Sequence, residues 1–226
     1  MRRKFTFILL FATTLIFSQD RFRSGIFLHH STGDLIWGND QTGNTTDIPK
    51  EIDKYNSENN YTDDLVFSLK EKWFPNSTDN EWSYWRKVFN KEVNDDIYSI
   101  INSNKIVIIK SCFPSSEVEG WGEPADTLDP TKKTVYNYKW HWRYFLDSIK
   151  AHPETFFVIW TNAPKVNGYD SWAFWSNQFC TWAKDTLAKG LDPEYGEVPK
   201  NVYVFDYFHK LVGDNYKIEA RICSGF

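Results

Sequence analysis

The chain has 226 residues, with 26 Lys plus Arg against 30 Asp plus Glu, a formal net charge of −4, and 41% hydrophobic residues. That is enough apolar material for a sizeable core, and it excludes the collagen-like, low-complexity and disordered classes. Aromatic residues reach 18%, with 11 Trp, 12 Tyr and 18 Phe against a single Met, so aromatic rings must serve the core and are available to a ligand surface.

Residues 1–19 open with Arg2, Arg3 and Lys4, continue as an apolar run from Phe5 to Phe17 and end in Ser18 and Gln19. This is the layout of a secretory signal without an Ala-x-Ala site, and the run is shorter than a membrane span requires. It predicts a secreted or periplasmic protein of one domain, residues 20–226, with no membrane anchor. Removing residues 1–19 takes away three positive charges, leaving 26 − 3 = 23 against 30, a net of −7. That balance argues against nucleic acid as a partner. Cys112, Cys180 and Cys223 are too widely spaced for a zinc ribbon, and the five histidines form no spaced ligand set. No metal and no cofactor are expected, and one disulfide with one free thiol is compatible with the count.

In chain order, the apolar runs Gly25–His29, Lys105–Ile109, Phe156–Trp160 and Val202–Phe205 read as buried strands. Residues 34–80 are rich in Asn, Asp, Thr and Ser, and predict long connections with a helix around Asp63 to Lys72. Trp82, Trp85 and Phe89 suggest one helix, and Val93, Ile97, Ile100 and Ile101 another. Val135, Tyr138, Trp142, Phe145, Leu146 and Ile149 follow the 3.6 period, as do Trp172, Trp175, Phe179, Trp182 and Ala183. Strands alternating with helices indicate a three-layer α/β/α fold on a mainly parallel sheet, which places ligands at the carboxyl ends of strands.

Two strand exits offer chemistry. Gly25-Ile-Phe-Leu-His-His-Ser-Thr-Gly33 runs from a strand into a hydroxyl residue followed by Gly, which puts Ser31 where a nucleophile would sit, although Ser is also a common helix cap. Lys105-Ile-Val-Ile-Ile-Lys-Ser-Cys-Phe-Pro-Ser-Ser-Glu117 breaks into small polar residues, so Thr32, Ser111 and Cys112 are candidate substrate contacts beside an ordinary turn reading. His29 and His30 are candidate bases, but neighbours on one strand point to opposite faces. Asp206-Tyr-Phe-His209 is a literal Asp-x-x-His, readable as a catalytic pair or as structural residues. Trp37 and Trp121 lie on segments that follow candidate strand exits and are candidates for stacking on sugar or acyl groups.

The exits His29-His30-Ser31-Thr32-Gly33 and Lys110-Ser111-Cys112-Phe113-Pro114, with Phe157-Val-Ile-Trp-Thr-Asn-Ala-Pro164 and Val202-Tyr-Val-Phe-Asp206, resemble in order and spacing a divergent secreted bacterial branch of the SGNH/GDSL hydrolases. The resemblance implies a flavodoxin-like architecture and a serine esterase acting on acylated glycans, with Ser31 as nucleophile. Gly-Asp-Ser is here His29-His30-Ser31, the oxyanion Asn has no counterpart, and residues 216–226 contain no His. Asp206 and His209 come earlier than that family's Asp-x-x-His. These departures point to a truncated end with poorly packed residues after Asp214, to weak activity, and to an alternative: a glycan-binding protein or an inactive remnant.

Overall fold

The computed structural model describes residues 22–38, 47–77, 81–165 and 170–212. The expected signal, residue Cys223 and the expectation for the tail after Asp214 lie outside those residues. Five parallel strands form one sheet in the order β2-β1-β3-β4-β5. Their ranges are Ser24–His29 (β1), Ser68–Trp73 (β2), Ile106–Ile109 (β3), Phe156–Trp160 (β4) and Val202–Phe205 (β5). The helices are Thr32–Trp37 (α1), Asp47–Glu58 (α2), Trp82–Phe89 (α3), Ile97–Ser103 (α4), Val135–Ile149 (α5), Asp170–Trp182 (α6) and Tyr207–Val212 (α7).

From β1 the chain steps outward to β2, then passes back beyond β1 to β3, β4 and β5. Right-handed crossovers send α1 and α2 to one face and α3 to α6 to the other, giving three layers. Packing follows that division. Leu28, Val107, Ile109, Phe157 and Ile159 join residues of α3 to α6 in one cluster, whereas Phe27, one position along β1, stacks on Trp37 of α1 at 6.5 Å. Aromatic rings meet at its centre: Trp142 meets Trp82 edge-on at 5.0 Å and Phe179 edge-on at 5.2 Å. Such pairs add about 0.5–1.5 kcal/mol each beyond the area they bury.

The helix expected around residues 63–72 is not formed. A short 3-10 turn covers Asp63–Leu65, and Ser68–Trp73 is the edge strand β2. Its partner is β1 alone and its side chains are mostly exposed, so no apolar alternation marks it. Lys70, Glu71 and Lys72 place charge along the edge, which discourages pairing with another chain. The segment 34–80 also holds α2, whose Asn56 donates to the Phe67 carbonyl and accepts from the Phe67 N–H, both at 2.8 Å, fixing where β2 begins.

The direction of chain progression reverses between β1 and β3. Their carboxyl ends, aligned through Leu28 and Ile109, therefore meet at the switch point, the place where doubly wound sheets bind their ligands.

Candidate functional site

β1 ends at His29, α1 begins at Thr32, and the two residues between them make the turn. Tightness is achieved at Ser31, whose backbone sits at φ 42° and ψ −107° with the side chain exposed and making no cap hydrogen bond. A residue with a Cβ pays for that conformation on the order of 1–3 kcal/mol. A sharp strand-to-helix turn of this kind lifts a hydroxyl clear of the sheet edge. The turn is closed by backbone bonds from Gly33 N–H to His30 O and from Asp34 N–H to Ser31 O, both 2.8 Å. Gly33 is required by close approach, since a Cβ there would fall 2.3 Å from His29 Cβ.

Beside this turn, Lys110 leaves β3 with its side chain 2% exposed. Its Nζ donates to Thr32 Oγ1 at 2.7 Å and to the Ser111 carbonyl at 3.2 Å, which ties the two strand exits together. Burial pulls its pKa down to about 8, and the nearby Cys112 opposes that fall only partly. Ser111 and Ser115 share a hydroxyl–hydroxyl hydrogen bond close by, and Cys112 is half-buried. Thr32, Ser111 and Cys112 are therefore gathered at the same edge as Ser31.

His29, which ends β1, and His30, which follows it, point to different partners. His29 is fully buried; its Nε2 donates to Glu71 Oε2 at 2.7 Å while Nδ1 finds no partner. His30 donates from Nε2 to the Pro75 carbonyl and stacks on Trp73 at 4.2 Å. Burial holds both below the ordinary histidine pKa despite these acceptors. His29, Asp34 and Glu71 bring three possible ligand atoms within 4.8 Å of one another, the one such group found among the described residues. Two of the three already bind each other.

Asp206 and His209 form a true pair: His209 Nδ1 lies 2.7 Å from Asp206 Oδ1. The strand order does not bring them to Ser31. They follow β5, three strand positions from β1, roughly 14 Å across the sheet, and His209 Nε2 is engaged by Asn177 Oδ1 of α6 at 2.8 Å.

Trp37 is 7% exposed and turned onto Phe27, so its ring belongs to the packing under β1. Trp121 is 37% exposed; it donates to Glu123 at 2.9 Å and meets Tyr136 edge-on at 5.3 Å, with Lys139 Nζ 4.8 Å from the ring centre. Its ring lies between α5 and α6, 6.2 Å from that of Trp175.

Sequence reasoning placed Lys110 at the second strand exit without giving it a role, and gave none to Asn162. Asn162 follows β4, is 2% exposed, accepts from Trp82 Nε1 at 2.8 Å, and donates to the Ser115 carbonyl at 3.0 Å and Ser176 Oγ at 3.1 Å. It holds the Ser115 loop to the core. An apolar cavity of about 540 Å³, lined by Phe22, Ile48, Ile52, Tyr55, Phe67 and Leu69, lies at the opposite end of the sheet. Searches against family models, curated proteins and solved structures find no match to this chain.

Proposed function

We propose that the protein is a secreted or periplasmic serine hydrolase that cleaves esters, its substrates being acylated glycans and Ser31 its nucleophile. The observation that carries the reading is the backbone of Ser31: an exposed hydroxyl on a turn at φ 42°, at the switch point of a parallel sheet. Natural chains keep such strain where the surroundings enforce it, and such positions cluster at working sites. Thr32, Ser111 and Cys112 line the same edge and would contact the acyl group. The glycan preference draws on the amino-terminal signal pattern, the acidic charge and the exposed ring of Trp121. The rival reading, a glycan-binding protein without turnover, draws on the distance between Ser31 and His209.

A fluorophosphonate probe separates the two. The full chain should be labelled on the peptide containing Ser31 and should release acetate from acetylated xylo-oligosaccharides, both lost in Ser31→Ala. Unlabelled protein that still binds the oligosaccharide would establish the rival.

A further inference from the structure

We propose that Lys110 is the general base of this site, taking the proton of Ser31 as its hydroxyl attacks the ester; the assignment rests on the hydrolase reading above. Three lysines are buried among the described residues, and they differ in what holds them. Lys165 is 2.9 Å from Glu117 Oε1. Lys139 has no carboxylate in hydrogen-bond contact but lies over the rings of Trp121, Tyr136 and Trp182. Lys110 has neither. Its two acceptors are a hydroxyl and a carbonyl, so among the described residues one of its three N–H groups is unused and no carboxylate pairs with its charge. A buried ammonium in that position is favoured to lose its proton.

The groups around it do not reverse this. His29, the last residue of β1, and His30 after it are held toward the neutral form by burial, and Cys112, in the exit from β3, favours the charged form of Lys110. Asp34 of α1 and Glu71 of β2 act on His29, and Asp95 acts on His30. The resulting pKa of about 8 suits a base working near neutrality. Nζ already touches the hydroxyl of Thr32, the residue next to Ser31, and the proposal requires it to move from there to Ser31 Oγ when substrate is bound. Contacts of this kind commonly tighten only when substrate is present.

The step balances. Nζ accepts the Ser31 proton, the Oγ–carbon bond forms and the carbonyl electron pair moves to oxygen. On collapse the carbonyl reforms, the bond to the alcohol breaks, and Nζ returns the proton to the departing oxygen. Water then repeats the sequence: it gives a proton to Nζ as its oxygen bonds to the acyl carbon and the carbonyl pair moves to oxygen; on collapse the carbonyl reforms, the Oγ–carbon bond breaks, Nζ returns the proton to Ser31 Oγ and the carboxylic acid departs.

The test measures hydrolysis of p-nitrophenyl acetate by the full chain from pH 6 to 10, with fluorophosphonate labelling of Ser31 alongside. Activity should rise about tenfold per pH unit and level off near pH 8. Lys110→Met should lose about a hundredfold or more at the plateau together with the limb, while unfolding at the wild-type temperature or above. Lys110→Arg, which keeps the charge but cannot give up its proton, should be equally slow; small primary amines should restore part of the rate to Lys110→Ala. A rate that falls through pH 8, or a Lys110→Met variant with an unchanged profile, overturns the assignment while Ser31 is still labelled. Failure of the wild type to label at Ser31 overturns the hydrolase reading, and this assignment falls with it.

Discussion

Gly33→Ala tests how rigidly the turn carrying Ser31 is built. A Cβ at residue 33 would lie 2.3 Å from His29 Cβ, 2.5 Å from Cγ and 2.7 Å from Nδ1. Carbon atoms in contact settle at about 3.5–4.0 Å, so more than an ångström must be found. His29 cannot supply it by turning its ring. The residue is fully buried, its Nε2 is bound to Glu71 at 2.7 Å, and its ring lies 4.7 Å from that of Phe27. The nearest atom is moreover a Cβ, fixed to the backbone of β1.

Overpacking of this kind costs about 1–3 kcal/mol, and loss of the His29–Glu71 hydrogen bond about 1 kcal/mol more. Alanine gives back close to 1 kcal/mol for replacing glycine in a helix. The net loss is about 2 kcal/mol, or roughly 4–8 °C in melting temperature for a chain of this size. Thermal and urea unfolding read it directly, and Ser31 labelling should slow in parallel as the turn shifts. The double variant with His29→Ala should recover less than half of the loss, because alanine keeps the clashing Cβ. A Gly33→Ala protein melting within a degree of wild type would show that the turn is pliable and would refute the reasoning.

Acid should weaken the fold below pH 6.5. Burial pushes the His141 pKa down to about 3 against 6.5 when unfolded, so its contribution is complete above pH 6.5 and lost as pH falls, at about 1.4 kcal/mol per unit. His29 and His30 act in the same direction; urea titrations at pH 7 and pH 5 with equal midpoints would contradict this. Arg143→Ala should cost about 3–5 kcal/mol, because it strips a buried Asp192 of bonds at 2.8 and 3.2 Å, and Arg143→Ala with Asp192→Asn should cost less than Arg143→Ala alone. Asn162→Ala leaves the Trp82 N–H and the Ser115 carbonyl without partners; at about 1–3 kcal/mol for each orphaned group, chemical denaturation should resolve the loss easily.

Four of the five strands and the helices α3, α4, α5 and α6 were legible in the sequence, for a physical reason. Each buries an apolar surface whose spacing repeats the geometry of the element. β2 and α2 were not. An edge strand with charged residues facing solvent carries no period-two signal, and α2 presents Ile48, Ile52 and Tyr55 to a shallow cavity in a stretch otherwise full of Asn and Asp. Missing β2 also hid the partner of His29, since Glu71 is supplied by that strand.

The site was legible where it depends on one segment and obscure where it depends on two. That Ser31 stands at a strand exit follows from Gly25–Thr32 alone. Its neighbours follow from strand order, which local pattern does not encode. The Asp206-x-x-His209 spacing yields the hydrogen-bonded pair it promises, yet the sheet inserts β3 and β4 between that pair and the serine. Lys110 shows the converse. Nothing in Ile-Ile-Lys-Ser-Cys distinguishes it from a lysine reaching for solvent, because its chemistry resides in what is absent around it. Glu117, seven residues later, pairs with Lys165 and Lys133 and not with Lys110. Had that carboxylate reached Lys110, the ammonium would be held charged and could not serve as a base near neutral pH. Which lysine receives the glutamate is decided by the loop that Asn162 and Ser115 hold in place.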